Sequence, residues 1–523
     1  MRILIFLFLL LNTAFLSASD GRDAVLIDDS LKGVYRMYDF DTECYSQPAP
    51  KGYKVFYLSH YGRHGSRYLH NEREYDTLNV VLHREKLTPF GEMVREQFDL
   101  YYPLLKGRAT DLSEVGKMQH RMLASRMYKD YPELFRRGSV VYAVSSDIPR
   151  CLMSMHYFLG GLKECNKSLD VRADFNSSLV PLFRASQVKK FPLKEFLEDN
   201  LDPVPLFEKL FECPQESFKG TDPYMFAQTL FYYACHLEGV GIDDDFFDSV
   251  LSNQDLKSLH MVESEKFSYN RGSLCKENLM VAAPSLHEII LSADNDMQSG
   301  FPTVRLRFGH DNMIMNLMSL MSVRPFDKER FDCSDVPMAS NIRFVFAKNK
   351  SGHVIIKIQY NESDVTDWMS WDNFRAECMR RISGGPRFMA HRGLQSYGPE
   401  NSIASFNAAA REGVWAIETD FRITADGRVV CIHDRTLDRT TDGAGPVKDM
   451  TLDEIRALRL KPVNSKGVVP IYDYSQLSES DKIVPSMEEY FEICKNNGCV
   501  AFIELKEDCG VIESMMRDRK SVV

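Results

Sequence analysis

The tract Arg63-His64-Gly65-Ser66-Arg67 sets two guanidinium forks around one imidazole. That combination suits phosphate chemistry, because the forks match the oxygens of a tetrahedral oxyanion and the imidazole is a nucleophile able to carry a phosphoryl group. Cleaving a phosphate monoester also needs further cations around the transferring oxygens and an acid for the departing alkoxide. Arg150 and the pair His310-Asp311 offer those groups elsewhere in the chain. Alone, the tract reads equally well as a surface basic cluster and Asp311 as a helix cap. What favours a site is the place of each group relative to the strands.

A second set lies near the C-terminal end. Glu418 and Asp420 stand two apart, so on a strand their carboxylates share one side. Glu504 closes the apolar run Phe502-Ile503. Three carboxylates meeting at one point repel each other unless a hard cation sits among them, and oxygen-only ligation suits Mg²⁺ or Ca²⁺. His391, followed by Arg392, and His433, followed by Asp434, each end a short extended run and could act as base and acid. Solvent-facing charge on an edge strand explains Glu418 and Asp420 but not the two histidines.

These groups need elements to hold them. Residues 54–60, 140–144 and 303–308 read as strands, and each runs into one part of the first set. The first leads to His64 at a point read as a helix N-terminus, whose N–H groups would favour an anion. Sites in α/β sheets gather at the carboxyl ends of strands, so the three loops are expected to converge. Residues 110–131 read as a helix on the spacing of Val115, Met118, Met122, Ala124 and Met127, stopped by Pro132. An apolar helix over 313–321, a strand over 354–360 and a Trp-containing helix follow, up to the boundary at residues 383–386 (SGGP). Residues 166–300 are polar and aromatic with helical stretches and read as an insertion. Its Arg184, Lys189, Lys190 and Lys194 could take further substrate phosphates, although a solvated face is the plainer reading. Beyond the boundary, 387–390 is extended and 401–412 is a helix capped by Asn401 or Ser402. Residues 414–423 and 428–432 form a hairpin over Ala425-Asp426-Gly427, and 501–505 is a strand.

The first set resembles the histidine acid phosphatase family, and within it the multiple inositol polyphosphate phosphatases and phytases. The likeness runs over about residues 30–382 through Arg63 to Arg67, residues 112–116 before a long helix, residues 145–150, and His310-Asp311. It implies an α/β core with a mostly helical insertion and no metal cofactor. It also implies a phosphohistidine on His64, a clamp of Arg63, Arg67, Arg150 and His310, and Asp311 as proton donor. The chain departs from many relatives at Leu69, where they carry proline, and at His310-Asp311-Asn312, where the inositol phosphate branch often carries His-Ala-Glu.

The second set resembles the glycerophosphodiester phosphodiesterases, through His391-Arg392-Gly393, Pro399-Glu400-Asn401, Glu418-Thr419-Asp420, His433-Asp434 and Glu504-Leu505-Lys506. The likeness implies metal ligation by Glu418, Asp420 and Glu504, acid–base roles for His391 and His433, Arg392 on the phosphate, and a TIM barrel. About 250 residues are typical of that fold, whereas 523 − 386 = 137 follow Pro386. The expectation for residues 387–523 is therefore a partial (β/α) barrel, truncated at its C-terminal side.

The chain as a whole sets limits. Its 523 residues predict about three domain-sized units at roughly 150 residues each. With 44% hydrophobic and 26% charged residues it is neither collagen-like, wholly disordered nor a multi-span membrane protein. Its net charge of 64 − 74 = −10 gives no general attraction for nucleic acid. Residues 1–19 read as an export signal, with an apolar run over 3–11 behind Arg2 and the small residues Ser17, Ala18 and Ser19. The run is too short to span a hydrocarbon core of roughly 30 Å, and no later segment offers the ~20 apolar residues required. Twelve cysteines without a CxxC pair disfavour a structural zinc site, while disulfides and buried thiols fit equally.

The expectation is an exported, periplasmic or extracellular, phosphoric ester hydrolase of two domains. Its substrates would be small phosphomonoesters, inositol polyphosphates among them, and glycerophosphodiesters. Only the second domain would need a metal. A carboxyl proton donor works best near its own pKa, which predicts an acidic optimum. The rivals are a phosphomutase and a phosphate-binding protein with an inactive C-terminal module. Oligomeric state is not legible.

Overall fold

Strand β1 (Lys54–Arg63) is buried on both faces from Tyr57 onward, which is why it reads as a nearly unbroken apolar run. In the computed structural model, which describes residues 27–175, 180–183, 187–217, 219–383, 389–412, 414–463 and 472–506, it lies inside a mixed sheet. The other strands are β2 (Val140–Ser145), β3 (Asp170–Phe175), β4 (Val304–Gly309), β5 (Asn341–Lys348), β6 (Val354–Tyr360), β7 (Ser363–Asp364) and β8 (Met369–Ser370). Their order is β3-β2-β4-β1-β5-β6-β7, with β8 also on β6. β4 is parallel to both neighbours, Arg63 facing Gly309 and Ser145 facing Phe308. The carboxyl ends of β1, β4 and β2 therefore lie side by side on one rim.

The alternation in β4 has a direct physical reading. Val304, Leu306 and Phe308 enter one apolar layer with Phe158 and Leu162 of the Pro149–Cys165 helix and Leu123, Ala124 and Met127 of the Glu114–Asp130 helix. Arg305 and Arg307 point to the other face, where the Ala283–Ser299 helix supplies a carboxylate for each. Arg305 Nε meets Asp296 at 2.7 Å and Arg307 Nε meets Glu288 at 2.7 Å, both pairs buried. Buried charge is tolerated because it is paired and hydrogen-bonded.

Several expectations are corrected. No helix follows His64 directly, the next one starting at Glu72; the helix N-termini at this rim are those of Pro149–Cys165 and Asp311–Met321. The segment 166–300 is not wholly an insertion, because β3 pairs in parallel with β2 as an edge strand of the core sheet. The helix read over 110–131 spans Glu114–Asp130, and its buried face holds Gln119, His120, Leu123, Ala124 and Met127 while Met118 and Met122 are exposed. Strand β5, unread in the sequence, pairs with β1 and β6. Among the described residues no cysteine pairs into a disulfide. The signal at 1–19, Arg184, Gly384 to Pro386 and the tail after Lys506 lie outside the described residues.

A second sheet holds β9 (Met389–His391), β10 (Ala416–Ile423), β11 (Val429–Cys431) and β12 (Val500–Leu505). β10 is parallel to β9 and β12 and makes the expected hairpin with β11. The helices Ile403–Arg411, capped by Ser402, and Met487–Asn496, capped by Ser486, pack on it. Tyr490 donates its hydroxyl to the Ile417 carbonyl at 2.7 Å. Among the described residues this sheet is open, with Phe502 of edge strand β12 48% exposed. Its apolar core is continuous with that of the larger sheet, and Tyr397, in the loop after β9, donates to Asp174 on β3. No described helix is long and apolar enough to cross a membrane.

Candidate active sites

The three rim loops bring the first set together. His64 is buried, and its ring lies 5.7 Å from that of His310, centroid to centroid. His64 Nδ1 lies 2.9 Å from the Gly65 carbonyl oxygen, which can only accept, so Nδ1 carries the proton and Nε2 keeps the lone pair. Arg63 is fully buried; Nη1 donates to the Val34 and Val336 carbonyls at 2.8 and 2.7 Å, and Nη2 lies 3.0 Å from Asp311 Oδ2. Arg67 donates to the Tyr68 carbonyl at 2.7 Å and sits over the Tyr35 ring. Arg150 Nη2 lies 3.4 Å from His310 Nδ1. The six expected groups thus gather at one rim of the sheet.

The electrostatics are those of a site built for an anion. Burial, then the charges of Arg150, Arg63 and Arg67, hold His64 far below the usual histidine pKa, so it is a neutral nucleophile. Burial and Arg67 push Arg150 down to about 10. Burial alone would raise the Asp311 carboxyl, but Arg63, His310 and Arg67 outweigh it and hold it well below the usual carboxylate range. Three guanidiniums against one carboxylate leave 3 − 1 = +2, the complement of a phosphate dianion. Nε of Arg63, Arg67 and Arg150 is in each case buried without a hydrogen-bond partner among the described residues. Each such donor costs about 1–3 kcal/mol, and one bound oxyanion could satisfy all three.

Supporting groups escaped the sequence reading. Ser66 N–H donates to Gln119 Oε1 at 2.9 Å and Gly65 N–H to Ser154 Oγ at 3.2 Å, so two helices hold the nucleophile loop. Gly65 and Gly116 cross closely: a Cβ on Gly116 would stand 2.3 Å from the Ser66 oxygen, and one on Gly65 would stand 2.6 Å from the Gly116 oxygen. The Cys151 thiol, pushed up to about 11 by burial, donates to the Gly309 carbonyl at 3.2 Å and lies 3.7 Å from His310 Nε2. Of the insertion's basic residues, Lys189 pairs with Glu277, and Lys194 lies near Glu198 and Asp222 on an exposed surface. Both ammonium groups thus lie exposed beside carboxylates, as a solvated face would have them.

The second site lies where β9 and β12 end beside the middle of β10. His391 faces Glu418 in register and Asp420 faces Glu504. One oxygen from each of Glu418, Asp420 and Glu504 lies within 4.8 Å of the others. Burial, then the charges of Asp420 and Glu504, raise Glu418 to about 7. Glu418 Oε1 is buried without a hydrogen-bond partner among the described residues. An orphaned oxygen inside a three-carboxylate cluster fits a hard divalent cation. His391 Nε2 lies 3.9 Å from Glu418 Oε2, while His433 Nδ1 lies 2.7 Å from Asp434 Oδ1.

Arg392, expected on phosphate, is shared with acids: Nη1 donates to Glu400 at 3.1 Å and Nε lies 3.1 Å from Asp420. Three further residues frame this site. Arg439 holds Glu400 and Asp434, Lys506 Nζ lies 3.2 Å from Asp420, and Asn401 donates to Asp420 at 3.0 Å. Arg392 and Asn401 both take the left-handed backbone conformation, with φ of 57° and 53°, so this loop is a specially shaped turn.

Comparison with known proteins follows the same division. Residues 62–195 match the histidine phosphatase superfamily (branch 2), and residues 391–515 match the glycerophosphoryl diester phosphodiesterase family. The crystal structure of the Bifidobacterium longum multiple inositol polyphosphate phosphatase in complex with inositol hexasulfate covers 66% of this chain and 96% of its own. Its TM-score is 0.55 at 15% identity, a likeness of fold. A probable glycerophosphodiester phosphodiesterase 1 of Mycobacterium tuberculosis is 47% identical over 77 residues, 15% of this chain and 28% of its own. A glycerophosphodiester phosphodiesterase of Caldanaerobacter subterraneus is 39% identical over 118 residues, 23% and 44% of the two chains. The chain spans less than half the length of these two relatives.

Proposed function

We infer that a chain joining a histidine phosphatase domain to a glycerophosphodiester phosphodiesterase domain hydrolyses small phosphomonoesters at His64 and glycerophosphodiesters at the Glu418 cluster. One observation carries the first half: a neutral imidazole whose tautomer leaves Nε2 free for attack, set among three guanidiniums with unsatisfied donors. Nε2 attacks phosphorus, the ester P–O bond breaks, and its electron pair leaves with the alkoxide, which takes a proton from Asp311. Asp311 takes that proton from solvent as the substrate binds, because a bound dianion cancels the positive field that keeps this carboxyl ionised. Water then attacks the phosphohistidine, returns a proton to Asp311, and releases inorganic phosphate.

In the second half, Glu418, Asp420 and Glu504 would hold Mg²⁺ or Ca²⁺, which when bound supplies charge stabilisation to a phosphodiester. His391, 3.9 Å from Glu418, and His433, held by Asp434, would move protons there, and Arg439 with Glu400 fixes the position of Arg392. Cutting a glycerophosphodiester yields a monoester, the substrate class of the first centre, so the two would act in sequence to scavenge phosphate. The apolar run over 3–11 supports work outside the cytoplasm.

The test is a substrate panel on the full chain: inositol hexakisphosphate, glycerol phosphate, sugar phosphates and an aryl phosphate, with released phosphate measured. Alkali-quenched protein should carry label from a ³²P monoester on His64, and His64→Ala should abolish both label and phosphate release. Isomerised substrate without phosphate release would convert the reading to a phosphomutase.

A further inference from the structure

A cavity of about 1220 Å³ opens at the end of the large sheet away from the catalytic rim. Lys54, in its wall, begins β1, whereas Arg63 ends it, and nine residues of strand separate them by roughly 30 Å. The cavity takes no part in the chemistry described above.

Its charge pattern is unusual for a chain of net charge −10. Lys54 and Lys348 stand directly opposite each other in the β1–β5 ladder, and like charges so placed destabilise a sheet. Lys350 and Arg136 add to the same wall. Among the described residues none of these four cations makes an ion pair. The local carboxylates are already committed: Asp130 to Arg343 at 3.0 Å, and Glu362 to Arg343 and Arg126, both at 3.0 Å. Of the acids lining the cavity, Glu133 remains.

The cavity is preformed. Lys357, its side chain 1% exposed, donates to Ser46 Oγ at 2.9 Å and to the Gln47 carbonyl at 2.6 Å, and pairs with Asp364. Trp368 Nε1 donates to the Pro48 carbonyl at 3.1 Å. These bonds fix the 46–48 loop as one wall, and Phe56, Tyr53 and Trp368 give that space an aromatic lining. Lys348 Nζ lies 4.3 Å from the Phe56 ring centroid, so cation and aromatic surface are contiguous.

We propose that this cavity is a second anion site, which takes a compact organic anion with a phosphate or sulfonate head and a flat apolar body. The head relieves the unpaired lysines across the β1–β5 ladder, and the body covers the aromatic wall.

The probe is 1-naphthyl phosphonate, whose C–P bond an ester hydrolase leaves intact, titrated into the full chain by calorimetry. Two sites are expected. Arg150→Ala should remove the catalytic one and leave the second. Lys348→Glu, which turns a like-charge pair into an opposite pair, should weaken the second site at least tenfold while raising the melting temperature and leaving monoesterase activity unchanged. Lys54→Glu should do the same from the facing strand. Unaltered second-site binding in both lysine variants overturns the proposal, as does a single site abolished by Arg150→Ala. Inorganic phosphate filling the second site as tightly as the naphthyl probe overturns the apolar half.

Discussion

Arg63 Nη2 lies 3.0 Å from Asp311 Oδ2, although the two residues are carried by different strand ends, β1 and β4, that neighbour each other in the sheet. In this pair the carboxylate is ionised, because Arg63, His310 and Arg67 together outweigh its burial. A proton donor at Asp311 must therefore be protonated as the substrate binds. Asp311→Asn should slow alkyl phosphate hydrolysis by about 10²–10⁴, and aryl phosphates, whose leaving group needs no proton, far less. In the wild type, kcat for alkyl phosphates should fall as pH rises and the substrate-bound carboxyl loses its proton; the variant should lack that limb. A limb retained in Asp311→Asn would move the acid role elsewhere.

The crossing of Gly65 and Gly116 yields a sharper structural prediction. A methyl on Gly116 would stand 2.3 Å from the Ser66 oxygen and 2.8 Å from its nitrogen, so backbone must yield. That backbone adjoins Gly65, whose carbonyl fixes the His64 tautomer. Gly116→Ala should lower kcat at least tenfold and reduce the melting temperature. Gly160→Ala is the control: it lies in the Pro149–Cys165 helix, a Cβ there meets nothing within 4 Å, and alanine should stabilise by about 0.5–1 kcal/mol. Equal kcat in the two variants would show that the loop tolerates displacement.

How much of this was legible follows from what each residue needs. β1 and β2 were readable as largely apolar runs and β4 by its strict alternation of apolar residues with Arg305 and Arg307, and Glu418 and Asp420 share a side by the period of a strand alone. β5 was not, since Arg343 in its middle is buried only by virtue of Glu362 and Asp130, partners remote in sequence. β3, an edge strand carrying Asp170, Arg172 and Asp174, looks like loop. The Glu114–Asp130 helix turns Gln119 and His120 inward, against its apolar spacing, because Gln119 serves Ser66 from the nucleophile loop. Cys151 touches His310 with no spacing that announces it.

Acid should weaken this fold. Burial holds His60 and His64 well below the usual histidine value, pushes His120 down to about 3, and lowers His236 to about 3 against its contact with the Tyr233 carbonyl. A folded pKa below the unfolded one gives stability that is present above about pH 6.5 and lost as pH falls toward 3. Between pH 6.5 and 5, each of His120 and His236 accounts for about 2 kcal/mol of that loss. Urea midpoints should fall steeply over this range. His120→Phe should flatten the slope by close to one proton, since among the described residues neither ring nitrogen of His120 has a hydrogen-bond partner; an unchanged slope would clear His120 of the effect.

The carboxylate cluster already has cationic neighbours. Lys506 contacts Glu504 and lies 3.2 Å from Asp420, and Arg392 pairs with Asp420 and Glu400. The module can thus hold its three acids without a divalent ion, and a bound ion shares Asp420 with an ammonium. Two expectations follow for melting curves of the full chain in EDTA, Mg²⁺ or Ca²⁺. Glu418→Gln should remove the upward shift that the matching ion produces, a shift worth about 3 kcal/mol at a hundredfold excess over Kd. Lys506→Met should lower the melting temperature in EDTA, by leaving the carboxylates unscreened, and enlarge the shift on adding metal. Lysine loss that lowers both states equally would mean the ammonium braces β12 rather than standing in for a cation, and the cluster would then owe its cohesion to Arg392 and Asn401.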